Sequence, residues 1–132
     1  MLGPNYGQWW NEKPIYQRLR YILISLPIVV IFLLAVYQYG KLNLRNNIRN
    51  AVEDGSLYDI RALIKKGASV DTRYRNGKSL LHRAIEMDRN TVAAMLIKEG
   101  ADVNAVDNRG LTPIHLAAGE RMTKIAKLLI QN

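Results

Sequence analysis

Residues 109–118, RGLTPIHLAA, and residues 76–85, NGKSLLHRAI, decide how this chain folds. They lie 33 positions apart and match in kind: Gly110 falls on Gly77, Thr112 on Ser79, Ile114 on Leu81, His115 on His82 and Ala117 on Ala84, with Leu129 on Leu96 further along. A second step of 33 places Gly100-Ala101 on Gly67-Ala68, Val103 on Val70, Leu96-Ile97 on Leu63-Ile64 and Ala84 on Ala51. A degenerate first unit therefore begins near Leu44. Self-similarity at a fixed period marks a stack of structural repeats, each too small to bury its own apolar face.

Each unit has a mechanical reading. Thr112 is a good helix N-cap, and Pro113 takes the first helical position, where a missing N–H costs nothing. Ser79 has the same capping role in the preceding unit. The pattern predicts short helices at about 79–87 and 112–119, a tight turn, then second helices at about 90–98 and 122–131. In the second helices Val92, Met95 and Leu96, and likewise Ile125, Leu128 and Leu129, recur at helical spacing. Gly67 and Gly100 are expected just past the ends of second helices. The segments SVDTRYRNG and DVNAVDNRG carry Asn-Gly and Arg-Gly turns and predict projecting, hairpin-like loops.

These stretches resemble the ankyrin repeat family: NGKSLLHRAI and RGLTPIHLAA correspond to its TPLHxAA signature, and GADVNA at 100–105 to its inter-repeat segment. The resemblance covers roughly residues 44–132, as units of about 44–73, 74–106 and 107–132. It implies an all-α stack of helix pairs with projecting loops, acting as a protein-binding surface and not as an enzyme. The departures are specific. Leu80 stands where the family has proline, Asp88 and Arg121 stand at the usual inter-helix glycine, the first unit lacks the signature, and the last stops at Asn132 before a Gly-Ala-Asp. Irregular outer units are the expected caps of a stack. The resemblance also implies that His82 and His115 are structural, bonding between neighbouring loops and helix starts, so that removing His115 costs about 1–3 kcal/mol through an unpaired buried partner.

Upstream of the repeats, residues 21–40 read YILISLPIVVIFLLAVYQYG, twenty residues without a formal charge between Arg20 and Lys41. At ~1.5 Å per residue such a helix covers about 30 Å, the thickness of a bilayer's hydrocarbon core. Trp9, Trp10, Tyr16 and Tyr21 before the run, and Tyr37 and Tyr39 at its end, suit the headgroup margins. Arg18, Arg20, Lys41 and Arg45 can hold their charges in water. Pro27 is expected to bend the helix. A cleaved leader would have an apolar run of only ~7–15 residues followed by small residues, whereas this one is longer and ends in VYQYG, so an uncleaved anchor is expected. The organisation expected is a tail at 1–20, a transmembrane helix at 21–40 and the repeats at 44–132. Lys41-Leu42-Asn43 would separate the anchor from the first repeat helix. The flanking charges nearly tie, and the family implication alone favours a cytoplasmic repeat domain.

The composition narrows the chemistry. With 19 lysines and arginines against 11 acids the chain carries +8, which favours anionic partners. Without cysteine there is no disulfide framework, and two histidines with no acid repeated beside them make no metal site. No phosphate loop and no nucleophile–base pair is visible. No catalytic residue, cofactor, metal or small-molecule substrate is expected. Arg73, Arg75, Lys78 and Arg109, with Tyr74 among them, have the composition of a nucleic-acid surface, but a solvated basic face explains them better.

The function expected is that of a single-pass membrane protein holding a short ankyrin module, a non-catalytic accessory subunit or adaptor of a larger integral membrane complex. Lipid contact would run through residues 21–40. The alternative is a basic ankyrin module binding anionic lipid headgroups or nucleic acid directly. Partner contact is assigned to loop tips and the exposed side of first helices: Arg73, Arg75, Asn76, Lys78, Glu86 and Met87 in the middle unit, and Asn108, Arg109, Leu111 and Glu120 in the last. The family resemblance puts ankyrin contacts at these same positions.

Overall fold

The computed structural model describes residues 14–132. Trp9, Trp10 and most of the expected tail lie outside the described residues. The described chain is helical: α1 Ile15–Asp54, α2 Leu57–Lys65, α3 Leu80–Glu86, α4 Asn90–Lys98, α5 Pro113–Gly119 and α6 Thr123–Gln131. Contacts divide it into two units at Gly40.

In the first unit, α1 carries the apolar run, and every residue from Tyr21 to Gly40 is exposed. This helix is long and apolar enough to cross a membrane, and no residue of its most apolar 18-residue window is buried by protein. It continues through Pro27, which has no N–H to give the carbonyl one turn back. Ser25 Oγ, two residues earlier, donates to Ile22 O at 3.1 Å.

Lys41-Leu42-Asn43 do not separate two helices. They are helical themselves, and α1 runs without a break to Asp54. The segment lacks the proline or cap that would stop it: Gly40 alone weakens a helix by only about 1 kcal/mol relative to alanine.

The second unit, Lys41–Asn132, stacks three helix pairs. The last turns of α1 pair with α2, α3 with α4, and α5 with α6. Their apolar stripes form one core in which Ile48, Val52, Ile60, Leu80, Leu81, Ile85, Val92 and Leu96 are fully buried. Ile125 and Leu129 continue it into the last pair, with Leu128 packed at its margin.

Helix starts follow the predicted caps. Ser79 Oγ accepts from the His82 amide at the head of α3, and Pro113 opens α5. In the first pair, Ser56 caps α2 by accepting from the Asp59 amide at 3.3 Å. Second helices end as expected at Gly67 and Gly100, both with positive φ. The turns between paired helices also need the left-handed region. Gly55 takes φ 78° there, and its equivalents Asp88 and Arg121 are held at 53° and 56°. Those two substitutions in the family pattern are therefore strained positions, not a change of turn.

Candidate functional site

The loops leading into α3 and α5 form the projecting edge of the stack. The first is a narrow hairpin: Tyr74 N donates to Lys78 O at 2.8 Å and Leu80 N to Thr72 O at 3.2 Å. The second repeats it, with Asp107 N bonding Leu111 O at 2.9 Å. Four bonds tie the first hairpin loop and the start of α3 to the second hairpin loop. Asn108 N donates to Asn76 O at 3.2 Å, Arg73 Nη1 to Val106 O at 2.8 Å, Asp102 N to Asp71 Oδ1 at 2.8 Å, and His82 Nε2 lies 3.0 Å from Leu111 O. Gly77 belongs to this seam, since a Cβ there would strike the Asn108 side chain and come within 2.9 Å of its amide.

His82 and His115, equivalent in sequence, differ in the structure. His82 is wholly buried. Its Nδ1 accepts from the Ser79 amide at 3.2 Å, which leaves the proton on Nε2 for the Leu111 carbonyl. His115 keeps the local half of this arrangement, with Thr112 N donating to its Nδ1 at 3.2 Å. Its ring is exposed, and Nε2 has no partner among the described residues. The expected buried role for His115 is thereby corrected: the inter-repeat bond and its energetic weight belong to His82.

In the first unit Arg49 takes the histidine position. Its guanidinium reaches Arg73 O and lies over the Tyr74 ring, 5.1 Å from the centroid, while Tyr74 OH donates to Arg49 O at 3.4 Å. Burial, with Glu53 adding to it against the pull of Arg83 and Arg49, pushes the Tyr74 phenol up to about 12. The same seam holds Arg83 Nε to Glu53 Oε1 at 3.1 Å and Arg89 Nη2 to Glu53 O at 3.1 Å.

The ten assigned contact residues divide accordingly. Arg73, Arg75, Asn76 and Lys78 share one hairpin, and the Asn76–Asn108 bond brings Asn108, Arg109 and Leu111 beside them. Arg75 is exposed and has no polar partner among the described residues. Arg73 is a staple, its Nη1 donating to Gly77 O at 3.0 Å as well as to Val106 O. Lys78 and Glu86 form an ion pair with each other, both largely covered. Arg109 Nε meets Asp107 Oδ2 at 3.3 Å with its own side chain more than half exposed. Burial raises the Asp107 carboxyl, but the amides of Leu111 and Arg109 and the Arg109 guanidinium outweigh it and hold it below the usual carboxylate range.

Asn108 is exposed at the loop tip, and Leu111 is half-buried with its carbonyl occupied by His82. Met87, half-buried, caps the end of α3. Glu120 stands apart, in a groove of about 700 Å³ between the turns at Asp88 and Arg121, floored by Ala94, Met122 and Leu128. That groove and the bridging Arg83 went unassigned in the sequence. The small Ala94 facing the Leu128 side was the signal available for the first; nothing at single-sequence level marks the second.

A family model for ankyrin repeats, in three copies, matches residues 31–132. The chain belongs to the ankyrin repeat family. Among curated proteins it is similar to the nuclear factor NF-kappa-B p105 subunit of Mus musculus, 38% identical over 86 residues, which is 64% of this chain and 9% of that protein. It is similar also to the neurogenic locus notch homolog protein 2 of Homo sapiens, 35% identical over 101 residues, 76% of this chain and 4% of that one. A third is the E3 ubiquitin-protein ligase KEG of Arabidopsis thaliana, 32% identical over 107 residues, 74% of this chain and 7% of the ligase. This chain thus spans less than a tenth of the length of each of these relatives.

Ankyrin repeats mediate protein–protein interaction. The geometry fits that use: the stack fixes the backbone of two neighbouring ankyrin hairpins by bonds between them, so residues at their tips are presented on a rigid edge. Arg49 in place of an ankyrin histidine, with Asn46 and Asn47 in place of the Thr-Pro cap, follows from α1 itself. No helix starts there, so no cap is required.

Proposed function

We propose that this chain is a membrane-anchored protein-interaction module, a non-catalytic accessory subunit or adaptor of a larger membrane complex, with residues 21–40 as an uncleaved anchor and the ankyrin stack as the contact surface. The single observation that carries the anchor is the exposure of all twenty residues of an uncharged apolar helix. Each large aliphatic or aromatic side chain left in water forgoes about 1.5–3 kcal/mol, so a segment of this composition requires a covering that the described residues do not supply. A hydrocarbon layer about 30 Å thick supplies it at the right length.

The contact surface proposed is the hairpin edge: Arg75, Asn76, Asn108 and Arg109 at the tips, with Arg73, Lys78 and Leu111 holding them in place. Met87, Glu86 and Glu120 continue it along the first helices. Because Lys78 and Arg109 are paired with carboxylates and Arg73 is held back against the Gly77 and Val106 carbonyls, Arg75 alone of the four basic loop residues stands free at the hairpin tips. This supports a protein partner over nucleic acid. We assign the stack to the cytoplasmic side on the family's usage. Isolation of the intact chain in mild detergent, with identification of co-purifying proteins, tests the adaptor role. A stoichiometric integral-membrane partner is expected; recovery of the chain alone at every detergent strength and salt concentration would count against it.

A further inference from the structure

A cleft of about 340 Å³ opens where the first repeat turns of α1 face the loop after α2. It is lined by Lys41, Arg45 and Arg73 together with Gly67, Ala68 and Ser69, and it is floored by Leu44. Lys41 and Arg45 are exposed and form no hydrogen bond or ion pair with any described residue. The Arg73 guanidinium donates only to carbonyls, so its charge is uncompensated. One carboxylate, Asp71, also lines the cleft, and its Oδ1 is engaged by the Asp102 amide. Three cations against one anion, around a space of small-molecule size, make a site for an anionic group.

The position of Lys41 and Arg45 selects the source of that anion. They follow Gly40 by one and five residues on one unbroken helix, so at ~1.5 Å per residue they stand about 1.5–7.5 Å beyond the end of the apolar run. The headgroup layer of a leaflet occupies about the same depth, ~5–7 Å outside the hydrocarbon. We propose that this cleft binds the phosphate of an anionic phospholipid, clamped by Lys41 and Arg45 with Arg73 behind, so that the repeat unit carries its own lipid site at the membrane surface. The proposal rests on the reading of residues 21–40 as a membrane span.

The test uses the full chain reconstituted in vesicles of phosphatidylcholine and phosphatidylglycerol at a ratio of four to one, gently solubilised, with co-isolated lipid measured by mass spectrometry. Phosphatidylglycerol should be enriched about tenfold over its bulk share, as expected for two basic side chains at an anionic surface. The double variant Lys41→Gln, Arg45→Gln should return it to the bulk ratio, while Lys124→Gln, Lys127→Gln, an equal charge loss in the last repeat, should keep it. Excess inorganic phosphate should not displace the lipid. Displacement would identify a soluble anion, and equal loss in both double variants would reduce the effect to general charge; either result overturns the lipid cleft. An alkaline wash separates the two levels of failure. Chain released by the wash refutes the membrane span and the cleft with it, whereas chain that resists the wash without lipid enrichment refutes the cleft alone.

Discussion

His82 Nε2 meets the carbonyl of Leu111 at 3.0 Å, so one imidazole closes the seam between the second and third repeats from inside the core. Its other nitrogen caps its own helix through the Ser79 amide. His82→Ala strands the part-buried Leu111 carbonyl and leaves a cavity in the core, and should lower unfolding free energy by about 1–3 kcal/mol. His115→Ala removes only a local, exposed contact and should cost under about 1 kcal/mol. Urea unfolding of the two variants compares them directly; equal losses would mean that the two histidines share one role.

Arg121 is held at φ 56° with no side-chain hydrogen bond or ion pair among the described residues, whereas the Asp88 side chain, at φ 53°, accepts from Asn90 Nδ2 at 2.8 Å. Arg121→Gly should therefore stabilise the stack by roughly 0.5–1 kcal/mol, and Asp88→Gly by less. A fall in thermal midpoint for Arg121→Gly would show that its side chain contributes more than its backbone strain costs.

Helix pairs, glycine turns and second-helix core residues were legible from the 33-residue period, because each depends on local chemistry that the period repeats. Other features were not, for physical reasons. His82 and His115 have the same sequence surroundings, and only the neighbouring repeat tells them apart. The Lys78–Glu86 ion pair folds a hairpin onto a helix eight residues away, beyond any local pattern. The first unit looked degenerate because the family signature encodes a helix start, and α1 enters that unit already helical. In the sequence Arg73 has the appearance of a free loop cation, since its two carbonyl acceptors, at Gly77 and Val106, come together only in the stack.

Tyr74 joins the first and second repeats, and its phenol is pushed from 10.0 up to about 12. A folded value above the unfolded one favours the neutral form. The contribution is complete below about pH 10 and is lost as pH rises through about 12. The stability difference between the native chain and Tyr74→Phe should be flat to pH 10 and shrink above it. A difference that stays flat through pH 12 would place the phenol in an ordinary, solvated setting.

The hairpin edge offers a clean separation of contact from folding. Arg75→Glu should weaken partner retention while changing stability by no more than about 0.5 kcal/mol, whereas Arg109→Glu should weaken both, since it sets a second carboxylate against the buried Asp107. Arg73→Glu should weaken both, and Leu96→Ala should cost about 2–5 kcal/mol through a core cavity. Partner retention that survives the Arg75 and Arg109 reversals, yet vanishes when 21–40 is exchanged for an unrelated spanning helix, would place recognition within the membrane and not on the repeats.

The natural absence of cysteine permits a direct measurement of the anchor. Single cysteines introduced as Asn5→Cys and Asn132→Cys, in the full chain in sealed vesicles, can be challenged with a membrane-impermeant maleimide before and after detergent. A spanning, uncleaved 21–40 segment predicts that one site reacts at once and the other only after detergent, with Asn132→Cys on the cytoplasmic side and the chain intact at 15.0 kDa. Equal labelling of both sites in sealed vesicles, or a mature chain lacking residue 5, would contradict the membrane-anchored reading.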